Sequence, residues 1–242
     1  SLAWGVTLSA DGQTAYVADG SSGLQIIDVS TGSSPTLLGT YDTSGYARGV
    51  TLSADGQTAY VADSSSGLQI IDVSNSSSPT LLGTYNTSDL AWGVTLSTDG
   101  KMAYVADGLS GLQIIDVSTG SSPTLLGTYN TSSLAWGVTL SADGQTAYVA
   151  GSWSGLQIID VSNGSSPTLL GTYNTSGRAV GVTLSADGQV AYVADNSSGL
   201  QVIDVFNGSS PVLLGTYNTT GYADDVILSP DGQTAYVADD VS

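Results

Sequence analysis

The chain has 242 residues, enough for a large all-β domain with a sizeable core, and sets 21 acidic residues, all of them Asp, against three cations, Lys101, Arg48 and Arg178, for a net charge of −18. With no basic patch to neutralise phosphates, such a surface excludes nucleic acid as a partner and repels anionic membranes, while it attracts cations and resists aggregation. There is no Cys and no His, hence neither a disulfide framework nor the commonest general base, and no apolar run approaches the roughly 18 residues of a membrane span.

In chain order, "GVTLS" (5–9) reads as a strand, and the "ADGQ" that follows carries an Asp-Gly pair suited to a tight hairpin. "TAYVAD" (14–19) is a second strand of apolar and aromatic residues. "GSSG" turns the chain into "LQIIDVS" (24–30), "TGSSP" leads to "TLLGTY" (36–41), and "DTSGYAR" returns to the next "GV". No window carries helical periodicity, and turn residues interrupt every run. In "LQIIDV", Leu24 and Ile26 face one side and Ile27 and Val29 the other, so both sides of the sheet are apolar and each sheet requires a neighbour on both.

The pattern repeats every 44 residues: Gly5, Gly49, Gly93, Gly137 and Gly181, then Asp225 at the sixth step, with Pro35, Pro79, Pro123, Pro167 and Pro211 in the same spacing. The units are 1–44, 45–88, 89–132, 133–176 and 177–220, followed by a half unit, 221–242, within a single domain of 1–242. Four short strands per unit at this period predict an all-β propeller of four-stranded antiparallel blades. The stretch "SGLQIIDVSTGSSPTLLGTYDTSGYARGV" resembles the LVIVD-type repeat of bacterial and archaeal surface propellers, and "SADGQTAYVAD" resembles the related YVTN-type blade. The resemblance covers the whole chain. It implies that the strand after the long return loop is innermost, that the protein is extracellular or at the cell surface, and little about a particular ligand. The chain opens on Ser1 and shows no signal peptide, which reads as a mature or excised segment. A six-bladed ring whose last blade takes two outer strands from elsewhere is the favoured arrangement, against a five-bladed ring with a spare hairpin or a piece of a longer array. The open strand at 234–239 is then a docking edge for self-association, fibre assembly or another surface protein.

The copies differ in two connections, which a four-stranded meander places on one face. Before the innermost strand stand Leu2-Ala-Trp4, Tyr46-Ala-Arg48, Leu90-Ala-Trp92, Leu134-Ala-Trp136, Arg178-Ala-Val180 and Tyr222-Ala-Asp224; the loop after the second strand holds Trp153. Trp4, Tyr46, Arg48, Trp92, Trp136, Trp153, Arg178 and Tyr222 therefore form a candidate ligand-binding face, suited to stacking on glycans in a lectin-like mode, unless Trp4, Trp92 and Trp136 instead pack between blades. Asp224, Asp225, Asp239 and Asp240 end neighbouring strands and make a candidate Ca²⁺ site, or else a charged terminus that discourages stray pairing. Asn86, Asn130, Asn174 and Asn218 occupy one recurring N-x-S/T position and are candidate glycosylation sites. The recurring Asp28, Asp72, Asp116, Asp160 and Asp204 read as Asx-turn acceptors, and the recurring Asp19, Asp63, Asp107 and Asp195 as architecture. With no His, Cys or Glu and no phosphate loop, the chain is expected to be non-enzymatic.

Overall fold

The computed structural model describes residues 2–240. Within them every regular element is a strand. The first sheet is β1 (Gly5–Leu8), β2 (Thr14–Ala18), β3 (Leu24–Asp28) and β4 (Thr36–Tyr41), in sequence order. The second is β5 (Gly49–Leu52), β6 (Thr58–Ala62), β7 (Leu68–Asp72) and β8 (Thr80–Tyr85), and the third is β9 (Ala91–Leu96), β10 (Met102–Asp107), β11 (Leu112–Asp116) and β12 (Thr124–Tyr129). The fourth comprises β13 (Gly137–Leu140), β14 (Thr146–Ala150), β15 (Leu156–Asp160) and β16 (Thr168–Tyr173), and the fifth β17 (Gly181–Leu184), β18 (Val190–Ala194), β19 (Leu200–Asp204) and β20 (Val212–Tyr217). A sixth sheet holds β21 (Tyr222–Leu228) and β22 (Ala235–Asp240) alone. The predicted strands thus appear within a residue or two of their expected ends, as five four-stranded antiparallel blades and a half.

The chain forms two compact units, one of Ser1–Asp107 with Gln113–Leu126, the other of Gly108–Leu112 with Gly127–Ser242. In the first unit, Tyr16, Ala18, Leu24 and Ile26 of the first blade pack on Ala59, Val61, Ile71 and Val73 of the second. Tyr60, Ala62, Leu68 and Ile70 then pack on Ala103, Val105, Ile115 and Val117 of the third. The second unit repeats the scheme: Tyr148, Ala150, Leu156 and Ile158 meet Ala191, Val193, Ile203 and Val205. Further on, Ala194 and Leu200 meet Ala223 and Val226 of the half blade. The two-sided reading of "LQIIDV" therefore describes how one blade serves two cores. Each such side chain, fully buried, contributes about 1.5–3 kcal/mol.

Two features set the spacing of neighbours. A Cβ on Gly5 would lie 2.6 Å from the Arg48 carbonyl oxygen, on Gly49 2.8 Å from that of Trp92, and on Gly137 2.7 Å from that of Val180. First strands of successive blades approach each other through these glycines, backbone on backbone. The hairpin after the first strand is closed by Asp11, whose carboxylate accepts from the Ser9 hydroxyl at 2.6 Å and from the Gln13 N–H at 3.0 Å. These bonds, the Ser9 one foremost, hold Asp11 below the usual carboxylate range. Positive φ falls on Gly12 (69°), while Asp11 keeps an ordinary backbone. The second predicted Asp series behaves as expected: Asp28, Asp72, Asp116, Asp160 and Asp204 each accept the N–H two residues on, at 2.9 Å.

Because Gly49 has no room for a methyl group, Gly49→Ala is expected to destabilise the fold by about 1–3 kcal/mol in urea denaturation. Gly32→Ala, whose Cβ would meet nothing within 4 Å, is expected to stay within about 0.5 kcal/mol of the parent.

Candidate ligand-binding face

The two variable connections do share a face. The residue after the second strand of one blade pairs, as an isolated antiparallel bridge, with the Ala that leads into the next: Gly20 with Ala47, Ser64 with Ala91, Gly108 with Ala135, Ser152 with Ala179 and Asn196 with Ala223. All five alanines are fully buried. The residues flanking each Ala therefore point away from the core, onto the face where the copies diverge. The recurring x-Ala-x triplet was visible as a pattern, but its bridge was not.

In the third and sixth units the pairing of first and second strands shifts register at this place, between Gly93 and Ala91 opposite Ala106 and Asp107, and between Ala223 and Asp225 opposite Asp239 and Ala238. Trp92 and Asp224 are the extra residues of these bulges, which re-aim a side chain out of the sheet.

In the first compact unit, four predicted face residues gather around one guanidinium. The Arg48 guanidinium carbon lies 4.1 Å from the Trp4 ring centroid, 4.1 Å from that of Trp92 and 4.7 Å from that of Tyr46. Trp4 is 45% exposed, while Arg48, Tyr46 and Trp92 are half-buried. Tyr46 lies over Gly20, where a Cβ would come within 2.6 Å of its ring. In the second unit, Arg178 sits 5.5 Å from the Trp136 ring centroid, with Trp136 half-buried and Trp153 72% exposed at the tip of its loop. Tyr222 is exposed as well. The tryptophans thus divide: Trp92 and Trp136 are partly packed, Trp4 and Trp153 are offered to solvent.

Behind the face lie the Asp residues that end the second strands. Asp63 is fully buried; the Thr43 hydroxyl donates to Oδ1 at 2.6 Å and the Gly45 N–H to Oδ2 at 2.8 Å. Asp107 accepts from the Asp89 N–H at 3.0 Å and from Gln113 Nε2 at 2.9 Å, and Asp195 from the Gly177 N–H at 2.8 Å. Each clamps the return segment that enters its own blade. In the fourth blade Gly151 stands in this place, and Gln157 Nε2 holds the segment instead by donating to the Thr131 carbonyl at 3.0 Å. Burial pushes the carboxyls of Asp63, Asp107 and Asp195 above the usual range.

The four carboxylates considered for Ca²⁺ lie near one another, with the charges of Asp240 and Asp239 both acting on Asp224. Among the described residues no group of three or more acidic side chains is placed to hold a metal ion. Their strand ends are adjacent, as expected, with Tyr222 opposite Asp240 and Ala223 opposite Asp239, but the bulge separates Asp224 from Asp225. Asp239 is engaged by the Gly221 N–H at 3.0 Å and the Thr220 hydroxyl at 3.3 Å. Asp225 turns toward the fifth blade, its Oδ1 only 2.7 Å from where a Gly181 Cβ would be. Burial first, and then the charge of Asp240, raise the Asp224 carboxyl above its usual range. Asn86, Asn130, Asn174 and Asn218 are all exposed on the turn after the fourth strand.

Five consecutive stretches, 3–43, 44–87, 91–131, 135–175 and 176–219, match the LVIVD repeat, and the chain belongs to that family. No curated protein matches it. Its fold is shared with hydrazine synthase of Kuenenia stuttgartiensis, at a TM-score of 0.78 and 20% identity, over 97% of this chain and 80% of that one. It is likewise shared with a "putative 6-phosphogluconolactonase" from Bacteroides uniformis (TM-score 0.78, 17% identity, 97% of this chain and 77% of that one). A second so described, from Bacteroides fragilis, has a TM-score of 0.80 at 17% identity, over 97% and 76%. These likenesses correct the expectation of a non-enzymatic chain. A fold borne by a synthase and by proteins described as lactonases does not exclude catalysis, and enzyme status is open.

A carboxyl with a raised native value adds stability that is fully present below the unfolded value and is lost as pH rises through the native one. Asp63→Ala, which strands the Thr43 hydroxyl and the Gly45 N–H, is expected to cost about 1–3 kcal/mol. Its deficit against the parent should be larger at about pH 4 than at about pH 8, a comparison read from melting temperatures of the two proteins.

Proposed function

We propose that this chain is an interaction and assembly module of a longer, repetitive protein located outside the cell or on its surface, and that it works by edge-to-edge strand addition. The observation that carries this reading is the two-stranded sixth sheet. Among the described residues β22 pairs only with β21. In the preceding blades the same position is followed by an LQIIDV strand and a TLLGTY strand, and the Thr14 carbonyl accepts from Ser9 on the first-strand side while Gln13 faces the third strand. By that alternation Ala235, Val237 and Asp239 turn their backbone groups toward the open edge of β22. Such an edge is a template for a further strand. The occupant is a hairpin of the β3–β4 kind, borne by another copy of this chain. A surface location is supported by the LVIVD repeats and by a composition of Gly, Ser, Thr and Asn with few cations. The four exposed Asn positions would carry sugars there if the source glycosylates Asn.

Light scattering across a roughly hundredfold concentration range is expected to show mass rising above one chain. Val237→Pro, which removes an outward N–H, should hold the protein at the monomer mass. A parent chain that stays monomeric throughout removes the assembly reading.

A second reading, carbohydrate binding, is favoured by Trp153, a 72% exposed indole in the one loop of its series that carries an aromatic residue. On a glycan array the parent is expected to bind and Trp153→Ala to lose most of the signal. No hits, or binding indifferent to that substitution, removes it.

A further inference from the structure

Arg48 is one of three cations in a chain with 21 Asp, yet no carboxylate pairs with it: among the described residues the one ion pair joins Lys101 to Asp99, at 3.6 Å. Burial lowers the pKa of the Arg48 guanidinium, and the neighbouring Tyr46 hydroxyl opposes that shift. Trp4 and Trp92, each 4.1 Å away, occupy ring-stacking positions around the guanidinium, and Tyr46 closes a third side at 4.7 Å. Its Nε is sealed from water and has no acceptor. A guanidinium that served only to pin the rings together would be expected to give this N–H a backbone carbonyl, as buried donors usually receive. Here three aromatic rings surround the planar fork, and its Nε–H is left without an acceptor.

We propose that Arg48, stacked between Trp4 and Trp92, is a recognition site for a carboxylate-bearing small ligand. A carboxylate is the planar, two-oxygen partner that matches the in-plane donors of a guanidinium, and the aromatic surroundings strengthen such a charge-assisted pair by excluding water. The ring or chain attached to the carboxylate lies against Trp4, which keeps nearly half of its surface open. The acidic field of the rest of the chain does not forbid this, because at physiological salt charges beyond about 8 Å are largely screened. Uronic acids and aromatic acids share the required chemistry: a carboxylate on a compact ring with a stackable face. The site is independent of the strand edge on β22 and of Trp153.

The test is titration of the full chain with sodium glucuronate, sodium benzoate and sodium acetate, followed by tryptophan fluorescence and by calorimetry, with glucose and sodium chloride as controls. A saturable response to glucuronate or benzoate is expected, with affinity falling roughly tenfold or more in Arg48→Ala. Arg48→Lys keeps the charge and loses the fork, and is expected to bind several-fold more weakly than the parent. It carries the test if the alanine variant fails to fold. A response to glucuronate but not benzoate identifies a uronic acid site, and the converse an aromatic acid site. The proposal is overturned by the absence of a saturable response to any of the three acids, by equal responses to glucose or chloride, or by Arg48→Lys binding as tightly as the parent.

Discussion

The close approach of neighbouring first strands governs everything else in this molecule. Where Gly5, Gly49 and Gly137 present bare backbone to the carbonyl of the next blade, there is no space for even a methyl group. That contact draws neighbouring sheets together at a separation at which Leu24 and Ile26 reach Val61 and Ile71, and the same fit recurs within each of the two units. The hydrophobic cores are therefore a consequence of backbone proximity as much as its cause. Polar clamps add direction: Asp63 and its counterparts fix the segment through which the chain passes from one blade to the next. Because the second blade shares one core with the first and another with the third, stability within a unit should be distributed in nearest-neighbour terms.

Much of the fold was legible in the sequence, for a definite reason. Alternation, Asp-Gly turns and a period of 44 are local or repeated signals, and the two-sided character of "LQIIDV" could be seen from residue type alone. The role of the glycines could not. They marked the period, but only the placement of the next carbonyl explains why no larger residue occurs at Gly5 or Gly49. Likewise the buried Ala47 and Ala91 looked like a motif without a task until the bridges to Gly20 and Ser64 appeared.

The candidate site divides in the same way. That Trp4, Arg48 and Trp92 share a face followed from the meander, since each occupies one place in the repeat. That Arg48 stacks between the two indoles did not follow, because the three side chains come from three blades and no local rule governs how they lean. The carboxylates of the sixth unit show the same division. Adjacency of their strand ends was predictable from pairing, but Asp239 stands where Asp63 stands in the second blade and, like it, accepts from its return segment, here from Gly221 and Thr220. The expectation about catalysis failed differently: an inventory of absent His and Cys speaks to particular mechanisms, whereas the fold is compatible with several.

Asp225 has a geometric implication of its own. It occupies the place where earlier blades carry glycine, and its carboxylate reaches back to the fifth blade, its Oδ1 2.7 Å from where a Cβ on Gly181 would lie. This joint, unlike those at Gly5, Gly49 and Gly137, is therefore closed first by a charged side chain and only then by backbone, so its fit answers to ionisation where theirs answers to bulk alone.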